Sequence, residues 1–154
     1  MPKKQMNTFF RIIVAAVTLT TVALGTQSAE PPKAIGALSR QGEVLLVSPM
    51  GLIVSPEKYD GKRILTDAYL QLAENGFDRA MLLYCFREDM NEGRRAHAFA
   101  ILLSPDLAKQ SSELAEFDKK RVKLVGIFRR NTEKIMYAAP GGAVTSVEWI
   151  AVAR

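Results

Sequence analysis

The sequence is poor in the side chains that do chemistry: among 154 residues there is one cysteine (Cys85), one histidine (His97) and one tryptophan (Trp149). A lone cysteine excludes an internal disulfide, and a lone histidine excludes a two-histidine metal site. A Ser-His-Asp arrangement could be built only around His97, which lies in an alternating run beside Phe99 and Ile101, with nothing local to supply its nucleophile. A packed or rim histidine is the simpler reading. Cys85 sits in the apolar run "MLLYCF", and a buried small thiol is the expectation there, since a reactive one needs exposure and positive neighbours.

Phosphate-cradling loops are missing too. "APGGAV" has paired glycines but neither the Lys-Ser/Thr nor the helix a P-loop requires. "REDMNEG" puts Asp89, Asn91 and Gly93 at alternate positions, like the start of a calcium loop, but Ala100 stands where the closing glutamate belongs. No internal repeat or low-complexity segment is present. No catalytic residue, metal ligand or cofactor is therefore assigned, and the chain is expected to lean away from enzymatic activity.

Long hydrophobic runs are equally scarce. The one that stands out, residues 12–24, carries no charge, follows Lys3, Lys4 and Arg11, and precedes the small residues Gly25, Ser28 and Ala29. Positive, apolar, then small is the order of a secretory signal peptide. The run is short for a bilayer crossing, which takes about 20 residues. The expectation is a signal peptide over 1–29, with cleavage after Gly25 or Ala29. The mature chain would be periplasmic or secreted, without a transmembrane segment, and peripheral membrane contact stays open. The alternative is a membrane tether through an uncleaved N-terminal segment. No cysteine lies there to carry a lipid.

Charge of one sign is also in short supply. The whole chain has 21 basic and 16 acidic side chains, for a net +5, but three of the basic ones lie in the first 29 residues, so the remainder carries only +2. Nucleic-acid binding wants a concentrated positive surface, which makes that partner unlikely. The basic groups at 119–123 and at Arg129-Arg130 read as solvated strand ends that discourage edge pairing.

What is present is alternation. After a Pro-containing lead-in (30–43), residues 62–73 place Ile64, Thr66, Ala68, Leu70 and Leu72 on one face of a long strand. Asn75-Gly76 is a hairpin signal, residues 79–87 return as a second strand, and 96–103 form a third after the loop "EDMNEGR". Ser104-Pro105-Asp106 opens a short or broken helix that turns Leu107, Leu114 and Phe117 inward. Alternation resumes over 120–129, with Val122, Leu124, Gly126 and Phe128 on one face. "EKIMYAA" and "VTSVEWIAVA" complete the set, joined through Pro140-Gly141-Gly142. The order predicts a mainly β fold: a small OB-like Greek-key barrel of five to six strands, residues 44–154, with one short helix between strands 3 and 4.

In "LIVSPEKYDGKRI", residues 52–64, Pro56 biases Ser55 toward an extended conformation, Asp60-Gly61 makes a turn, and Tyr59 covers the corner. That segment, continued to "LTDAYL", resembles a motif of small exported or lipid-anchored bacterial proteins with an OB-like barrel. "LLYCFRED" is similar to their second strand and "KRVKLVGIF" to their fourth. Ala68 stands where the motif has glycine. The resemblance spans about residues 44–150, and it implies a fold and no reaction.

Aromatics are the remaining resource. Tyr59, Tyr69, Tyr84, Phe86, Tyr137 and Trp149 could line a barrel face of the kind OB folds use for oligonucleotides or oligosaccharides. Phe86 and Trp149 are expected to face inward. Tyr69 and Tyr84, on paired strands, would share a face and, with Arg87 and Arg129, form a ligand-binding surface. The function expected is an exported, non-enzymatic module that contacts a protein or cell-envelope ligand, an immunity or inhibitor protein being one form. The alternatives are a small envelope hydrolase using His97 and a single-strand nucleic-acid-binding OB protein.

Overall fold

The computed structural model describes residues 32–40, 42–72, 81–130 and 139–153. The signal segment, the Asn75-Gly76 turn, Tyr137 and nearly all of "EKIMYAA" lie outside the described residues.

The fold is mainly β and contains a closed five-stranded barrel. Two short strands, β1 (Ala34–Gly36) and β2 (Leu45–Leu46), precede two short helices, α1 (Pro49–Val54) and α2 (Pro56–Tyr59). The barrel strands are β3 (Arg63–Leu72), β4 (Met81–Tyr84), β5 (Ala98–Leu103), β6 (Arg121–Arg129) and β7 (Ala143–Val152). Between β4 and β5 lie α3 (Arg87–Asn91) and a 3-10 turn (Arg95–His97). Between β5 and β6 lie α4 (Pro105–Ala108) and a 3-10 helix (Ser111–Phe117).

Hydrogen bonding runs β3 to β4 to β5, then to β7, β6 and back to β3. All contacts are antiparallel except β5 with β7. That parallel pair and the helix between the third and fourth barrel strands make the barrel OB-like. The predicted class and helix position both hold.

Inward residues follow the alternation. Ile64, Ala68 and Leu70 of β3 and Val122, Leu124 and Phe128 of β6 are buried together, under Leu107, Leu114 and Phe117. Ser104 caps α4 through its hydroxyl, which accepts from the Leu107 N–H at 3.3 Å. The helix stops after four residues, the short helix expected here, and continues as a 3-10 helix.

Closure depends on an irregularity in β7. Val125 of β6 faces Trp149, but Ile127 faces Thr145, so β7 carries two extra residues there, with Ser146 in the left-handed region (φ 50°). A bulge sharpens the twist and lets one strand turn a corner. The first half of β7 thereby pairs with β5 and the second half with β1.

Several expectations need correction. The lead-in is not a bare connection: its β1 pairs with the end of β7, and Arg63 of β3 anchors the stretch that follows by donating to the Ser39 carbonyl (2.8 Å), the Gly42 carbonyl (3.3 Å) and Glu148. Gly36 is required at this crossing. A Cβ there would stand 2.1 Å from the Glu148 carbonyl oxygen. Residues 49–54 and 56–59, where no helix was expected, are helical, and Ser55 between them (φ −138°, ψ 58°) leaves the helical region as Pro56 requires. The second strand ends at Tyr84, the loop after it contains α3, and β5 starts at Ala98 rather than 96.

The Asp60-Gly61 corner does what its sequence predicts. Gly61 adopts φ +74° and its N–H donates to the Phe128 carbonyl at 2.9 Å, while Asp60 accepts from the Arg130 N–H at 3.0 Å. Together they fix the start of β3 against the end of β6.

Candidate functional site

Of the four residues predicted to share a surface, the structure brings three together. Tyr69 and Tyr84 face each other across the β3–β4 ladder, and the Arg87 guanidinium lies 5.4 Å from the centre of the Tyr69 ring. Arg129 does not join them. Arg121 is the residue of β6 opposite Tyr69, so Arg129 is eight residues further on, roughly 25 Å at strand spacing. It lies instead beside Gly61, at the corner before β3.

The shared face is not open. Tyr84 is 1 % exposed, in a second apolar cluster with Leu82, Ala98, Ala100 and Ala143, covered by Met90 of α3 and by Ala139. This outward side of β4 and β5 is the one an OB protein offers to a ligand. Here the chain covers it with its own helix. Tyr84 is therefore a packing residue, and Tyr69 keeps only a half-buried ring beneath Arg87.

The exposed functional groups lie on the covering segment itself. Phe86, expected to face inward, is 42 % exposed, because β4 ends two residues before it and the alternation that would turn it inward ends there. Its ring meets the His97 imidazole edge-on, with centroids 5.9 Å apart and planes at 90°. His97 Nδ1 lies 3.2 Å from Oδ2 of Asp89, whose Oδ1 accepts from Arg94 Nε at 2.9 Å. Asp89 is buried. The hydrogen bond from His97, then the one from Arg94, hold its carboxyl below the usual carboxylate range. The acidic loop that faintly resembled a calcium site thus commits its first carboxylate to His97 and Arg94.

Sequence reading missed the Asp89–His97 pair. The two residues are eight apart, one assigned to a loop and the other to a strand. Only the helix at Arg87–Asn91 turns Asp89 back beneath the imidazole, and its five residues are too few to show a period.

This pair has the geometry of a base and its orienting carboxylate. One candidate nucleophile is Cys85, across the strand pair from His97: its N–H donates to the His97 carbonyl at 3.4 Å. The thiol is half-buried against the barrel core. Burial, and secondarily the Asp89 charge, push it up to about 11. Such a thiol is almost wholly protonated at neutral pH and is poorly nucleophilic.

A groove of about 500 Å³ lies between the lead-in and α4, lined by Gly36, Leu38, Ser104, Asp106, Gln110 and Glu148 among others. Most of its polar groups serve the fold. Gln110 accepts from the Gly36 N–H, Ser104 caps α4 and Glu148 holds Arg63.

The Phe86, Arg87 and His97 cluster is consequently the best-formed exposed site among the described residues. Neither a protein-family model nor a curated protein sequence matches the chain, so this site is read from its own geometry.

Proposed function

We propose that the protein is an exported, non-enzymatic binding module that contacts a protein of the cell envelope or a secreted one through the segment joining β4 to β5. One observation carries this reading: Phe86 is a large exposed ring held in place. It is fixed by His97, which Asp89 orients, and Asp89 is fixed in turn by Arg94. Aromatic rings and arginines held rigidly at a surface are the groups that contribute most to protein recognition, because little side-chain entropy remains to be lost on binding. Arg87, resting on Tyr69, adds a cation beside the ring. An inhibitor or immunity role is one form of this function.

The test is capture of partners by the tagged full chain from its own cell envelope. Phe86→Ala is expected to weaken capture by about 30-fold or more, as at an interface hot spot, while leaving the melting temperature nearly unchanged. Equal capture by wild type and by Phe86→Ala and Arg87→Ala variants would reject this surface.

A second reading, a small hydrolase, draws on the Asp89–His97 pair alone. It expects turnover of an envelope substrate that His97→Ala abolishes. The raised thiol and the absence of a sulfur–imidazole hydrogen bond among the described contacts weigh against it. Single-strand nucleic-acid binding has less support still, because the sheet face it would use is covered by α3.

A further inference from the structure

Residues 44–54, VLLVSPMGLIV, contain a single polar side chain, and that one is used internally: Ser48 Oγ accepts from the Gly51 N–H at 3.1 Å to cap α1. Val47 and Leu52 are buried, and Leu45 and Ile53 pack against the core. Three of its large apolar side chains face water. Leu46, on the open edge of β2, is 83 % exposed and Val54 is 73 % exposed; Met50, one helical turn before Val54 on the same face of α1, is 39 % exposed. A surface helix ordinarily puts charged residues on its outer face, and an apolar outer face marks a surface that something covers.

We propose that this β2–α1 face rests on an anionic lipid bilayer, with Leu46, Met50 and Val54 entering the headgroup region. Three features favour lipid over a protein partner. The exposed residues are aliphatic, with no tyrosine, tryptophan or arginine among them, and leucine and valine are under-represented among protein hot spots. Apart from the Ser48 hydroxyl, which already caps α1, the segment offers no side-chain donor or acceptor to fix a protein's orientation, which a bilayer does not require. At the corner that follows, exposed Lys58, Lys62, Arg129 and Arg130 outnumber Glu57 and Asp60, giving an excess of positive charge for acidic headgroups. The uncharged run at 12–24 precedes β1 by only nine residues, and a chain tethered through it would stand at a membrane. This surface uses none of the residues of the Phe86 cluster, so the two proposals stand or fall separately.

The experiment labels the full chain, carrying Cys85→Ser, with a fluorophore at Met50→Cys or, as an independent site, Val54→Cys. The protein is mixed with phosphatidylglycerol–phosphatidylethanolamine vesicles containing a lipid-borne quencher. A label at the exposed Ser112→Cys position reports non-specific proximity. Quenching is expected to be about two-fold or more stronger at positions 50 and 54 than at 112. It should weaken when phosphatidylcholine replaces phosphatidylglycerol and on Leu46→Glu, with circular dichroism confirming that each variant is folded. Equal quenching at all three positions overturns the proposal. So does shielding of position 50 that grows with protein concentration in the absence of vesicles, which would make the occupant a second copy of the chain.

Discussion

Thr66 is buried in the barrel wall at 3 % exposure, and its hydroxyl has no hydrogen-bond partner among the described residues. It lies on the inward face of β3 between Ile64 and Ala68, where alternation demands an apolar side chain. A buried hydroxyl without a partner costs its desolvation, whereas an isosteric methyl does not. Thr66→Val is therefore expected to stabilise the protein by about 1 kcal/mol, read as a higher urea midpoint at unchanged slope. The inward facing of Thr66 was legible from the strand period. The outward exposure of Phe86 was not, because β4 ends at Tyr84 and the period no longer applies beyond it. Tyr84 shows the opposite limit: alternation assigned its face correctly, but no local pattern reveals that a helix three residues later folds back to cover that face.

At the scale of elements, the dipeptide Ser-Pro opens three helices, at 48–49, 55–56 and 104–105. In the first and third, serine caps the helix with its side chain. In the second it does not. Only the third was read as a helix start, because Asp106 and three inward apolar residues followed it. Helices of six and four residues, such as α1 and α2, are shorter than the repeat needed to recognise them. The Asp60-Gly61 corner needed no such length, since the left-handed position after Asp is a signal in itself. Gly61→Val is expected to cost about 2 kcal/mol, from the strain of a β-branched residue at positive φ. The Arg129 side chain, 3.2 Å from the new Cβ, can move aside. Chemical denaturation checks the magnitude, and protein that remains folded should capture the same partners as wild type, because the corner is remote from Phe86.

At the scale of the whole molecule, acid should act through specific carboxylates. Asp89, bonded by His97 and Arg94, and Glu116, bonded by Lys33, are both held below their ordinary values. A depressed folded-state value contributes stability above the unfolded value, near pH 4, and that contribution disappears as pH falls through the folded value. Asp89→Asn should accordingly lower stability at pH 7 and flatten the loss between about pH 4 and pH 2, measured as urea midpoints across that range. An unchanged acid slope would mean that the Asp89–His97 contact is not maintained in solution.

The strand order was legible because every barrel strand except β4 is long enough to alternate. The closing contact between β5 and β7 was not, since its register depends on the bulge at Ser146, a residue with no turn signature.

That bulge has a consequence for the timing of folding. Because β7 joins β5 to β6 and also pairs with β1, three ladders, including those that close the barrel, wait for residues 143–152. Pairings of high sequence separation pay their loop entropy before any contact rewards them, and so form slowly. A nascent chain that lacks residues 143–152 can pair β3, β4, β5 and β6 but cannot close the barrel. Until that strand is added the other four remain an open, threadable sheet.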